Sequence, residues 1–168
     1  MTHAESGAAA RGAPGNWLRW RGLVPAALLV LGLVWPAGQL QAQDTIAPII
    51  SADDALRLAE SGQIVLVDVR SPQEWRQTGV PSGARTVTIH NPNGLVGFLE
   101  AMEGALGADP DQAIAVICAR GNRSTLAQSA LNEAGYTQVF NIREGMLGNT
   151  DGPGWLARGL PTDDCSGC

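Results

Sequence analysis

From Ser51 onward, apolar and polar positions fall into two alternating kinds of segment. "SADDALRLAESG" carries Ser51 as N-cap, with Asp54 three residues on, and Gly62 closes it, which predicts a helix. "IVLVDV", residues 64–69, is a continuous β-branched run, the mark of a strand covered on both faces. "SPQEW" opens a second helix: Ser71 caps, Pro72 takes the first turn, and Glu74 completes a capping box. A more polar strand, "RTVTI" at 85–89, precedes a helix in "GLVGFLEAMEGAL". "AIAVIC" at 113–118 is a fully apolar strand, "STLAQSALNEAG" a helix ending at Gly135, and "TQVFNI" the last strand. Residues 145–161 are rich in Gly and Pro, with at most a helical turn in "GWLARG". Strands separated by helices, in apolar runs that do not alternate, predict an α/β fold with a central parallel sheet and helices on both faces.

The first 42 residues follow other rules. Arg11, Arg19 and Arg21 precede the apolar run Leu23–Trp35, and "AGQLQAQ" follows with a small residue at Ala42. That order reads as a secretory signal peptide over 1–42 and implies export, periplasmic or secreted. The run is shorter than the roughly 20 residues of a spanning helix, so a retained anchor is the lesser alternative. Residues 43–50 read as a linker, 51–161 as one domain, and 162–168 as a loose tail. Removing three of eleven basic residues and one of sixteen acidic ones leaves eight against fifteen, a formal charge of −7. An acidic chain without lysine or basic runs is a poor partner for nucleic acid, or for a membrane once the signal is gone.

Export changes how three cysteines are read. Cys165 and Cys168 close the chain as "CSGC" and favour pairing with each other, leaving Cys118 unpaired. Cys118 ends an apolar strand where ligands of parallel sheets bind, beyond the carboxyl edge. Ala119, Arg120, Gly121, Asn122 and Arg123 must wrap the sulfur before a helix that begins near Ser124. Gly121 permits a tight turn, and its neighbours' N–H groups and the helix dipole favour an anion there. Arg120 and Arg123 add charge, and the Ser124 hydroxyl one more donor, so a thiolate nucleophile awaiting an anionic substrate is expected. The plainer alternative is a core cysteine, but an inert one needs no guanidinium neighbours.

"CARGNRS" resembles the active-site loop of the rhodanese-like sulfurtransferases. "VDVRSPQEW", "GVPSGA" and "LNEAGYTQVFNIREGMLGN" with "GWLARGLP" resemble that family's other motifs, in order, over about residues 50–161. The resemblance implies a single-domain thiosulfate sulfurtransferase-like enzyme with no cofactor. Cys118 would take sulfur from a small donor anion such as thiosulfate, hold it as a persulfide, and pass it to a thiol, a cyanide-like acceptor or a protein acceptor. Arg123, with Arg120, would guide the donor. The Cys-x₄-Arg spacing resembles this sulfur-sized cradle rather than the Cys-x₅-Arg loop of related phosphatases and arsenate reductases. Val80 and Glu144 depart from the family pattern, at positions expected to shape a turn and a backbone bend.

Asp68 and Arg70 admit a catalytic reading, but are expected to support the site instead, Arg70 pairing with Glu74 or nearby backbone and Asp68 ordering the strand end. Trp75 and Trp155 are expected to pack against the sheet. His90 reads as a solvated loop residue, and no His/Cys/carboxylate spacing suggests a metal site. Cys165 and Cys168 are either a tail disulfide or thiols that resolve the Cys118 persulfide. Two rivals remain in other classes: a non-catalytic partner-binding module on this fold, and a thiol redox protein working through "CSGC".

Overall fold

The computed structural model describes residues 49–168. The expected signal peptide, and all but the end of the expected linker, lie outside these residues. Four parallel strands form the sheet in the order β3-β1-β4-β5: β1 Val65–Asp68, β3 Arg85–Thr86, β4 Ile114–Ile117 and β5 Val139–Ile142. Between them run helices α1 Ala52–Glu60, α2 Pro72–Thr78, α3 Gly94–Leu106 and α4 Asn122–Glu133. Every helix and every strand of the four-stranded sheet falls within a segment of matching type in the sequence pattern, apart from the first turn of α4. β3 is shorter than its apolar run, although Val87 and Ile89 still donate to the Asp68 and Val69 carbonyls at 3.1 and 3.2 Å.

Apolar runs without alternation are explained by burial of both faces. On β4, Ile114 and Val116 join a core with Phe98 and Met102 of α3 and Ala127 and Leu131 of α4. The intervening Ala115 and Ile117 face the opposite core, with Ala52 and Ala55 of α1, Phe140, Met146 and Trp155. Helices therefore cover both faces, as the pattern predicts. The chain leaves β1 outward to β3 and returns on the other side as β4. The crevice between β1 and β4, where connections diverge, is where such sheets bind ligands.

The capping box of α2 forms as expected: Glu74 N donates to Ser71 Oγ at 3.4 Å and Ser71 N to Glu74 Oε2 at 3.0 Å. Trp155 packs in the sheet core, and its Nε1 donates to the Pro161 carbonyl at 2.9 Å. Trp75 does not reach the sheet. It packs with Val80 and Cys165 in a separate small cluster, because α2 holds its apolar side toward the end of the chain.

That end is not a loose tail. β2 Val80–Pro81 and β6 Thr162–Asp163 pair antiparallel, and Asp163 accepts from Ser82 Oγ at 2.8 Å and Gly83 N at 2.9 Å. Cys165 is buried and joined to Cys168 by a disulfide, and Arg76 donates to the Cys168 carbonyl at 2.5 Å. A polar tail shows no periodicity to announce such docking, since its partners lie some eighty residues away. Among the described residues no helix is long and apolar enough to cross a membrane.

Replacing Cys165 and Cys168 together by serine is expected to lower the unfolding free energy by about 2 kcal/mol, the chain-entropy value for so short a loop. Urea denaturation measures it; an unchanged midpoint would assign the tail's anchoring to the β2–β6 contacts alone.

Candidate active site

Cys118 follows β4 directly and is 1% exposed, the free cysteine of the described residues. The chain then turns through Ala119 and Arg120 to Gly121, the N-cap of α4, whose φ is +88°. Gly121 N donates to Cys118 Sγ at 3.1 Å. A left-handed residue is needed here, and so is the absence of a side chain: an added Cβ would collide with the Arg143 carbonyl and lie 3.3 Å from Asn149 Nδ2. The sulfur thus sits at the positive end of a 12-residue helix with a backbone donor aimed at it.

The loop is also held from behind. Met146 N and Leu147 N donate to the carbonyls of Cys118 and Ala119 at 2.8 and 2.9 Å, and Asn149 Nδ2 to that of Arg120 at 3.0 Å. The carbonyls of residues 118–120 are thereby engaged away from the sulfur, and the Gly121 N–H is the donor that meets it. Ser124 does not add a donor to the sulfur as expected. Its buried hydroxyl donates to the Gly121 carbonyl at 3.0 Å, closing the first turn of α4, because the helix starts at Asn122 and places residue 124 inside it.

The two expected guiding arginines behave differently. Arg123 makes a two-pronged pair with Glu74, NH1 to Oε2 and NH2 to Oε1, both at 2.6 Å. The pair joins α4 to α2 and spans the crevice between β4 and β1. Its hydrogen bonds hold Glu74 at about 2, against burial that pushes the other way, and Glu74 in turn raises Arg123. Arg120 is exposed and donates to the Gly148 carbonyl at 3.1 Å. Asn122 is exposed on the first turn of α4.

Asp68 and Arg70 sit together under this crevice, 0% and 1% exposed. Arg70 NH2 meets Asp68 Oδ2 at 2.7 Å, Nε spans both carboxylate oxygens, and the remaining donors reach Thr78 Oγ1 at 2.7 Å and the Gly79 carbonyl at 2.6 Å. Arg70 therefore pairs with Asp68 rather than with the Glu74 carboxylate, which Arg123 and Ser71 occupy; Glu74 offers it only a long backbone contact at 3.5 Å. The pair fastens the end of β1 to α2.

Two participants were not foreseen. His90 is exposed, as expected of a loop residue, but its Nε2 lies 3.3 Å from Arg123 NH1 at the crevice. Glu144 is buried and does more than bend the backbone: it accepts from Ala52 N at 2.8 Å, Gly154 N at 2.9 Å and Arg158 Nε at 3.0 Å. Burial raises its pKa, but these donors outweigh that and bring it below the ordinary value. It braces the segment that supports the Cys118 loop. A carboxylate in an apolar, Gly-rich stretch was the available signal. Cys165 and Cys168 are disulfide-bonded, and Cys165 packs with Trp75 and Val80 in a cluster separate from the one that holds Cys118. No cluster of metal-ligating side chains occurs among the described residues.

A parallel sheet with a cysteine cradled at the carboxyl end of its central strand defines the class, and comparison with known proteins gives the family. The family model of the rhodanese-like domain matches residues 51–149, and the chain belongs to that family. A sulfurtransferase of Allochromatium vinosum is 30% identical over 105 residues, 62% of this chain and 83% of that one. A thiosulfate sulfurtransferase of Pseudomonas paraeruginosa is 32% identical over 96 residues, 57% and 77% of the two chains. The solution structure of a polysulfide-sulfur transferase homodimer from Wolinella succinogenes superposes with a TM-score of 0.55 at 30% identity, covering 71% of this chain and 80% of that one.

Two outcomes test the electrostatics. An unfolded Glu74 binds its proton near 4.5, the folded one near 2, so the pair's contribution is complete above 4.5 and lost as pH falls toward 2. Wild-type stability should therefore fall more steeply across that window than that of Glu74→Gln, by roughly 1 kcal/mol for so partly exposed a pair; parallel curves would refute the assignment. Arg70→Met should cost about 3–5 kcal/mol in urea denaturation by stranding the Asp68 charge, and Asp68→Asn combined with it should recover part of that loss.

Proposed function

We propose that this protein is a sulfurtransferase that carries sulfane sulfur on Cys118. The observation that carries the reading is the 3.1 Å hydrogen bond from Gly121 N to Cys118 Sγ at the start of α4, in a loop whose carbonyls are engaged elsewhere. A backbone donor at a helix N-terminus suits an anionic sulfur, which the terminal atom of a persulfide is. Hydrogen bonds to a charged group contribute about 1.5–3 kcal/mol each, so a few backbone donors outweigh any one side chain.

With thiosulfate as donor, the Cys118 thiolate attacks the outer sulfur. A Cys118–S–S⁻ bond forms, the donor's S–S bond breaks, and sulfite leaves with the electron pair. Arg120 and Arg123 bring positive charge to the loop, Arg123 with two of its five N–H donors committed to Glu74. A thiophilic acceptor, cyanide or a thiol, then attacks the outer sulfur and releases Cys118 as thiolate. The names of the relatives from Allochromatium, Pseudomonas and Wolinella support this reaction class. Export of the chain, read from its first 42 residues, belongs to the same proposal and would place the reaction in the periplasm or outside the cell.

Intact mass of the purified protein before and after thiosulfate is the direct test. The expected result is a gain of one sulfur atom that cyanide removes and that Cys118→Ser lacks. No gain at Cys118 would leave a non-catalytic module on this fold as the better reading.

A further inference from the structure

α3 turns one side to the core, through Phe98 and Met102, and leaves another uncovered. On the open side Val96, Leu99, Glu100 and Glu103 follow one another at the spacing of neighbours on a helix surface. With Pro110 and Tyr136 they line a groove of about 310 Å³. Val96 is 66% exposed there, a large apolar side chain that the domain's own core does not use. Tyr136 forms the opposite wall, its hydroxyl donating to the Gly107 carbonyl at 3.4 Å. Burial, and after it the charge of Glu103, raises the pKa of this phenol, so carboxylate and ring face each other across the groove.

The charge around the groove is of one sign. Residues 86–119 and 124–142 contain Glu100, Glu103, Asp109, Asp111 and Glu133 and no arginine or lysine. Asp109 and Asp111 flank Pro110, and Glu133 precedes Ala134, another lining residue. All five carboxylates are exposed, and among the described residues none is in an ion pair. Other carboxylates are matched: Asp54 by Arg57, Glu74 by Arg123, and Asp53 and Glu144 by Arg158. Arg120 and Arg143 line a separate polar cavity beside the Cys118 loop, and no residue of that loop lines the groove.

We propose that this groove docks a partner protein through a basic amphipathic helix. Apolar side chains of that helix cover Val96, Leu99 and Tyr136, and its lysines or arginines lie against Glu100 and Glu103. An exposed apolar strip with an unneutralised acidic border is the complement of such a helix, which binds by laying its apolar face in a groove. The same carboxylates repel an anionic lipid surface. A second copy of this chain, meeting the groove with the same surface, would set acid against acid. A partner held here leaves the Cys118 loop uncovered, so docking does not block the cysteine.

The probe is a synthetic lysine–leucine helix of about 14 residues, titrated into the full chain and followed by backbone NMR. Saturable shifts at Leu99, Glu103 and Tyr136, with Gly121 unmoved, are the expected result. Glu100→Gln combined with Glu103→Gln should weaken binding about tenfold, as the loss of two exposed ion pairs would. Neutralising Glu60 and Asp164, exposed carboxylates outside the groove, by Glu60→Gln with Asp164→Asn should change it by less than about twofold. Val96→Ser should weaken it about fivefold by removing apolar area. Equal losses in the two double variants overturn the proposal, because attraction by net charge alone predicts that. Undiminished binding of a peptide with serine in place of leucine overturns it too, as does absence of saturation. Shifts of the same residues with protein concentration, without peptide, would overturn it in favour of a second copy as the occupant.

Discussion

Everything chemical in this molecule hangs on the close approach of Gly121 to the Arg143 carbonyl. The backbone at Gly121 is left-handed and has no room for a Cβ, which lets the chain reverse within three residues of Cys118 and still begin a helix. Only in that turn does an N–H meet the sulfur while the loop carbonyls are drawn outward by Met146, Leu147 and Asn149. The cradle is therefore the product of two strands. β4 delivers the cysteine, and the chain leaving β5 supplies the wall against which the loop is pressed.

Arginine, the sole basic side chain of the chain apart from histidine, divides its labour by burial. Arg70, enclosed with Asp68, joins β1 to α2 and has no path to solvent. Arg123 sits at the crevice and is balanced by Glu74, whose same carboxylate caps α2. Arg120 and Arg143 stay at the surface beside the cradle, where both line the adjoining cavity. An acidic chain thus still places Arg120, Arg123 and Arg143 around the Cys118 loop, which is a matter of placement rather than of net charge.

Glu144 shows how a departure from the family's pattern is accommodated. A buried carboxylate is costly unless fully hydrogen-bonded, and here the first N–H of α1, Gly154 N and Arg158 satisfy it. In return it ties the start of α1 and the 154–158 stretch to the segment that carries Met146, Leu147 and Asn149. The length between Gly145 and Trp155 is thereby held as a braced loop, and that loop forms the outer wall of the cavity.

Local sequence determined what local forces control. The helices and sheet strands followed from periodicity and capping, as with the Ser71–Glu74 box, and Cys118 with Gly121 followed from the strand-to-helix junction. Which groups would meet across the fold was not readable, because those choices depend on partners remote in sequence. Arg70 takes Asp68 and not the Glu74 carboxylate, since Arg123 arrives from 49 residues away to claim it. Ser124 serves its helix and not the sulfur, His90 comes beside Arg123, and the polar tail docks on α2. Propensity acts within a few residues, whereas ion pairs, buried carboxylates and short antiparallel pairings are selected by desolvation and geometry once the sheet has brought their partners together.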